Sequence, residues 1–365
     1  MDAEDPTRPV QLLTPEGVRV EDARFDWRGG DTELVTMLRR MMTGRRLDIE
    51  GAALQRHGEL GLWPPLRGQE GYQAGIAAVI QPDDMVFATY REQALAMAMG
   101  VEVSDLLALW RGAGMSRWDS EATRVAPFSI VIGSHPLHAV GYAMGVDLER
   151  ADDGPVPATL ALYGDGASSQ GDVNEALVFA AAQDAPIVFC CVNNQWAISE
   201  PVSYQSRVPL YQRAHGFGLP GIRVDGNDPL ASAAVIGWAL GQARAGHPVL
   251  VEAFTYRMGA HTTSDDPGRY RSDEATADWA AKDPIERLRR HLLDAGVIDE
   301  AWLTAMDAEL EDFGADVRRT CRELADTPIE QVFDELIGEP GDYLRAERAD
   351  CLDWLSTTPS EGDAA

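Results

Sequence analysis

The sequence predicts an α/β fold, a parallel sheet flanked by helices, with N- and C-terminal helical extensions. Three observations predict it. The apolar runs Ala158–Tyr163, Ile187–Asn193 and Val249–Phe254 read as strands covered on both faces, the pattern of parallel sheets. An Ala-rich helical stretch separates the first two, which gives a strand–helix–strand unit. Each of those two strands ends on oxygen-bearing side chains, Asp165 after one and Asn193-Asn194 at the other. That carboxyl edge is where open parallel sheets bind ligands.

Along the chain, residues 1–30 read as a polar N-terminal arm carrying Pro6, Pro9 and Pro15. Asp31 can cap a helix with Leu34, Leu38 and Met41 on one face, continuing through Arg45-Arg46 toward Leu60. This helical segment opens an α/β domain over 31–272, whose core runs from about Gly68 to Tyr256. Leu106–Trp110 and Leu137–Leu148 read as helices. Gly164-Asp165-Gly166 is a tight turn, with a helix expected to open near Ser168 and aim its free N–H groups at the strand ends. Ile222-Arg223-Val224 alternates, and Asp225-Gly226-Asn227-Asp228 after it reads as a turn rather than a metal site. A charged helical region occupies 273–355, with the pattern clear from Asp273 to Leu336, and 356–365 read as a disordered tail.

With 365 residues, 45 % of them hydrophobic, the chain can bury a substantial core. A net charge of −28 argues against nucleic acid and anionic membranes as partners. No apolar run reaches the roughly 18 residues of a membrane span. The opening Met-Asp-Ala-Glu-Asp-Pro resembles neither a signal nor a transit segment, and the four cysteines form no disulfide framework. The cytoplasm is the expected compartment.

The glycine turn carries the chemistry. A carboxylate and a carboxamide at neighbouring strand ends suit a hard cation such as Mg²⁺, which often bridges to phosphate. Glycines flanking Asp165 let backbone approach a bulky anion. A dinucleotide fingerprint fails because its third glycine position is Ser169. The only lysine, Lys282, follows alanine and precedes Asp283-Pro284, which removes a P-loop and argues against Schiff-base chemistry. The competing reading, Asp and Asn merely capping a turn, is weakened by Asn193-Asn194 at the end of the next strand. The histidines show no metal-ligand spacing with cysteine.

Gly164-Asp165-Gly166 followed by Asn193-Asn194 resembles the thiamine diphosphate–Mg²⁺ motif. The whole is similar to the alpha subunit of the decarboxylating first component of 2-oxo acid dehydrogenase complexes. The resemblance runs from about Asp31 to Ile337 and is carried by Arg67–Gly71, Phe87–Glu92, Ile130–Gly133, Gly221–Pro229 and Tyr256–Arg271. It implies the thiamine diphosphate-binding fold. It implies that Asp165, Asn194 and the Trp196 carbonyl bind Mg²⁺, and that Gly164, Gly166 and Ala167 line the diphosphate. By the same resemblance Tyr90 and Arg91 hold the diphosphate, Arg91 through its planar fork. Ile130 and Ile132 meet the aminopyrimidine by their main chain. His261, in a polar stretch that reads as an exposed loop, reaches the diphosphate and serves as acid/base in transfer to lipoyl, because imidazole changes charge near neutral pH. His135 stands where related chains often have glutamine. A monovalent cation near Ser134 and phosphorylation at Thr262, Thr263 or Ser264 are left open.

The expected activity is oxidative decarboxylation of a branched-chain 2-oxo acid, followed by acyl transfer to a lipoyl-bearing acyltransferase. Pyruvate is the alternative substrate and acetoin a third. The chain carries only the diphosphate half of such a site, so a beta subunit in an α2β2 heterotetramer is expected to complete it. Val192 departs from the branched-chain type, which can carry arginine there. A transketolase-like half-enzyme and a catalytically silent paralogue are the readings from other classes.

Overall fold

The structure is a computed structural model and describes residues 7–114, 116–149, 156–325, 327–330, 333, 339 and 341–357. Among the described residues seven strands occur in chain order: β1 (Met85–Phe87), β2 (Thr159–Gly164), β3 (Ile187–Asn193), β4 (Trp196–Ala197), β5 (Glu200–Pro201), β6 (Gly221–Asp225) and β7 (Val249–Phe254). The helices begin with α1 (Asp31–Arg56), α2 (Glu70–Val79), α3 (Gln93–Ala98), α4 (Val103–Arg111), α5 (Ser120–Thr123) and α6 (His135–Glu149). They continue with α7 (Gly171–Gln183), α8 (Arg213–Gly216), α9 (Pro229–Arg244), α10 (Asp273–Ala280), α11 (Pro284–Asp294) and α12 (Glu300–Glu323). A further helix covers Asp342–Thr357.

The five-stranded sheet has the order β1-β2-β3-β7-β6, and every pairing in it is parallel. Alternation splits the strand side chains between two apolar layers. Leu160 and Leu162 of β2, with Val188, Cys190 and Val192 of β3, point into a layer shared with α1, α2 and α9. Ala161 and Tyr163, with Phe189 and Cys191, point into the layer under α6 and α7. Strands with apolar cover on both sides lose the polar–apolar alternation of half-buried strands, which explains the continuous runs in the sequence. β1 has only three residues, too few for a pattern to show.

The segment read as a polar arm is partly structural. Val10 bridges Val224 in parallel and so extends the sheet past β6, covering an edge that would otherwise be unpaired. Leu12 and Leu13 are buried, and their N–H groups donate to the Asp228 carboxylate at 2.7 and 2.6 Å. The same carboxylate caps α9 through Leu230 and Ala231. Asp225 takes the buried Arg287 guanidinium at 2.8 Å. The acidic turn therefore stitches arm, sheet and C-terminal helices together, in line with its reading as a turn.

Two boundaries differ from expectation. α1 is capped by Gly30, whose N–H donates to Glu33, and not by Asp31. After Asp165 the chain makes a 3₁₀ turn over Gly166–Ser169, and α7 opens at Gly171 rather than near Ser168. α12 lies along α1, tied by Arg39–Glu309, Arg46–Glu311 and Arg318–Glu50. Leu336 and most of the expected tail lie outside the described residues, while Ser356 and Thr357 end the last helix. Among the described residues no helix is long and apolar enough to cross a membrane.

Candidate active site

The register of the central strands creates the site. Gly164 pairs with Val192, so Asp165 and Asn194 leave neighbouring strands at the same level. Backbone bonds from Asp165 N–H and Asn194 N–H to the Val192 carbonyl, at 3.2 and 3.1 Å, hold them there. Around these ends lies a cavity of about 290 Å³. Tyr90, Arg91, Ile132, Gly164, Asp165, Gly166, Ala167, Asn194, Trp196 and His261 all line it. Sequence reading had named every one of them. Ile130 is 47 % exposed and lies outside the lining.

Asp165 is almost fully buried, and burial pushes its carboxyl up to about 6. Its side chain accepts a long hydrogen bond from Gln205 at 3.4 Å. The Asn194 carboxamide is fixed at both ends: Oδ1 accepts from Trp196 N–H at 3.3 Å, and Nδ2 donates to Gln69 Oε1 at 3.1 Å. The Trp196 carbonyl accepts from Arg257 at 3.1 Å. Gly166 approaches Ala197 so closely that a Cβ would lie 2.8 Å from the alanine methyl. A Cβ on Gly164 would instead meet nothing within 4 Å and would project into the open space. The N–H groups opening the 3₁₀ turn have no partner within it.

Arg91 is buried and donates to the Pro65 carbonyl at 2.6 Å and to the His261 carbonyl at 3.1 Å. A second guanidinium, Arg257, contacts the Trp196 and Ile198 carbonyls and the Tyr270 hydroxyl. Both face His261 Nδ1, at 3.5 and 3.4 Å. Donors on that side make Nδ1 an acceptor and leave the ring proton on Nε2. His261 is thus no solvated loop residue. Burial first, then Arg91 and Arg257, hold its imidazole down at about 3. The premise that it changes charge near neutral pH does not hold in this environment. Its backbone N–H donates to Asp265, which also receives the Tyr270 hydroxyl. Arg271 clamps the carbonyls of Arg257, Met258 and Gly259. Thr263 is tied to Trp63 by both backbone and hydroxyl.

Two participants, Gln205 and Gln69, had no sequence signal of their own. Gln205 reaches Asp165 from far along the chain. Gln69 lay inside the Arg67–Gly71 segment without a role. His135 is buried at the start of α6; Nε2 meets the Leu162 carbonyl and Nδ1 has no partner among the described residues. Ser134 Oγ contacts Ser129 Oγ at 2.7 Å and the Val131 carbonyl at 2.9 Å. Among the described residues no three His, Cys, Asp or Glu side chains cluster as metal ligands. Asp165, Asn194 and the Trp196 carbonyl offer a mixed carboxylate, carboxamide and carbonyl set for a cation.

Residues 38–331 match the family described as "Dehydrogenase E1 component". The chain belongs to the dehydrogenase E1 component family. It is 42 % identical over 342 residues to the 3-methyl-2-oxobutanoate dehydrogenase subunit alpha of Mycobacterium tuberculosis, covering 93 % of this chain and 92 % of that one. It is 38 % identical over 282 residues to the pyruvate dehydrogenase E1 component subunit alpha of Acholeplasma laidlawii, at 76 % and 79 % coverage. The Bacillus cereus protein of that name is 32 % identical over 345 residues, at 93 % and 91 %. As an E1 alpha subunit the chain is part of an oxidoreductase of the 2-oxo acid dehydrogenase type. Family membership implies use of thiamine diphosphate and a beta subunit partner.

Proposed function

We infer that this chain is the alpha subunit of an α2β2 enzyme that oxidatively decarboxylates branched-chain 2-oxo acids. The acyl group passes to the lipoyl group of a separate acyltransferase. One observation carries the reading. A buried carboxylate that forms no salt bridge among the described residues, Asp165, shares a cavity wall with Asn194, the Trp196 carbonyl and the Arg91 guanidinium. Burying a carboxylate without a cationic partner is costly, and a bound Mg²⁺ would remove the cost.

The residues fit the cofactor. His135 Nδ1, on a residue of the cavity wall, is buried without a partner among the described residues, and native structures seldom leave such an atom unsatisfied. Asp165, Asn194 and the Trp196 carbonyl would hold Mg²⁺ in an oxygen shell. Arg91, Tyr90 and the N–H groups of Gly166 and Ala167 would hold the diphosphate. The cofactor supplies the nucleophile and electron sink for decarboxylation. The protein's part is to orient it, to exclude water, and to keep a neutral His261 bearing its proton on Nε2. An anion beside that ring would raise its proton affinity, which suits His261 for proton exchange once the site is loaded. Mutating His261→Ala should impair transfer to lipoyl domains more than cofactor affinity. Equal and complete loss of cofactor binding would reduce it to a ligand.

The branched-chain preference rests on the 42 % identity to the 3-methyl-2-oxobutanoate enzyme. The pyruvate enzymes at 38 % and 32 % keep pyruvate as the second reading, since a methylene in an apolar pocket is worth only about 1–3 kcal/mol. Four free cysteines suit a reducing cytoplasm. The test is decarboxylation by the co-expressed alpha and beta subunits with an artificial electron acceptor. Faster turnover of 3-methyl-2-oxobutanoate than of pyruvate supports the reading, and the reverse assigns the pyruvate complex. No turnover of either acid with cofactor bound would point to transketolase-like chemistry or a silent subunit.

A further inference from the structure

Gln69 is fully buried at the N-terminal cap of α2 and lines the cavity. Its backbone has little freedom. Gly68 before it sits at φ +92°, where a Cβ would lie 2.7 Å from the Tyr256 carbonyl. Thr255 donates to the Gly68 carbonyl at 2.9 Å, and Glu70 accepts the Gly68 N–H at 2.9 Å. Gln69 N–H donates to Leu66, and its carbonyl accepts from Gln73. From this fixed position the side-chain Oε1 accepts the Asn194 Nδ2 proton at 3.1 Å.

Together with the Trp196 N–H on Oδ1, that bond sets which end of the Asn194 carboxamide faces the site. With Nδ2 held by Gln69 and Oδ1 on the Trp196 side, the oxygen is offered where the Trp196 carbonyl and Asp165 can share a cation. In the flipped orientation the amide N–H groups would face the cation and repel it. Asn193 cannot do this work. Its Nδ2 is spent on the buried Glu252 at 2.7 Å and its Oδ1 on Gln195 N–H at 3.0 Å.

We propose that Gln69 is a positioning residue for the metal site: by accepting the Asn194 amide proton, it holds Oδ1 toward the divalent cation. The proposal rests on the Mg²⁺ reading of Asp165 and Asn194. It concerns binding, so activity is not its readout.

The test is the Mg²⁺ concentration that half-saturates thiamine diphosphate binding to the assembled alpha–beta enzyme, followed by calorimetry. Gln69→Met keeps roughly the volume and removes the acceptor. It should raise that concentration at least about tenfold, the range seen when outer partners of metal ligands are lost. Melting of the metal-free enzyme should move little. Gln69→Glu retains an acceptor and should stay within about threefold of the wild type. If Gln69→Met does not fold, Gln69→Glu still decides, because a tenfold weakening there overturns the proposal. An unchanged Mg²⁺ requirement in Gln69→Met, or equal weakening in both variants, also overturns it. Wild-type cofactor binding with no divalent-cation dependence would instead sink the metal reading beneath it.

Discussion

At the scale of single residues, the site works by denying charges their usual partners. Asp165 is the sharpest case, and Asp165→Ala should abolish Mg²⁺-dependent retention of the cofactor, scored by gel filtration and thiamine fluorescence. Retained tight binding would remove Asp165 from the metal site. His261 is the complementary case. With its imidazole held at about 3 and an unfolded value near 6.5, the unfolded chain binds the extra proton between those values. The folded chain therefore loses stability from this group as pH falls from about 6.5 toward 3, and nothing changes above that window. Imidazole NMR of the cofactor-free enzyme should show no His261 titration between pH 5 and 7. Adding the cofactor should shift its proton affinity upward, because an anion would then lie beside the ring. Asp165, Asn194, Arg91 and His261 were legible because segments in a set order carried them. Gln69, Gln205 and Arg257 act through tertiary contacts between distant segments, and single-residue chemistry gives no hint of those.

At the scale of elements, the strands read clearly because burial on both faces forces uninterrupted apolar runs. Their ends read clearly because the runs stop at polar residues. The arm did not. Val10, Leu12 and Leu13 are too few for periodicity, and the prolines around them suggest a polar leader. The Val10–Val224 bridge and the Asp228 carboxylate, which accepts from Leu12, Leu13, Leu230 and Ala231, make them part of the fold. Asp228→Ala removes a helix cap, worth about 1 kcal/mol, and leaves buried N–H groups unpaired at about 1–3 kcal/mol each. Urea unfolding should show a loss of about 3 kcal/mol or more. A loss below about 1 kcal/mol would mean that the arm relaxes away without consequence. The 3₁₀ turn after Asp165 was missed for a local reason. Gly, Ala and Ser fit either helix type, so the local sequence does not distinguish them.

At the scale of the whole molecule, the cavity is only partly enclosed. Ile130, Val131 and Ile132 are 47, 72 and 47 % exposed beside it, an apolar stretch that belongs in an interface rather than in water. A partner covering that mouth would complete the site. This chain purified alone should show less than about a hundredth of the decarboxylation of the alpha–beta enzyme, the rate that general acid–base groups on a partner can supply. Val131→Asp should weaken association with the beta subunit at least about tenfold in sedimentation experiments, because it buries a charge. Unchanged assembly would place the interface elsewhere.

The stitch between Leu12 and Asp228 joins residues 216 positions apart. On a ribosome adding about 5–20 residues per second, Leu12 emerges roughly 10–40 s before its acceptor exists. Through that interval Val10, Leu12 and Leu13 form a short apolar tail with nowhere to dock, a natural handle for a chaperone. The sheet, whose β6 and β7 also come late, can close only when synthesis is well past its midpoint.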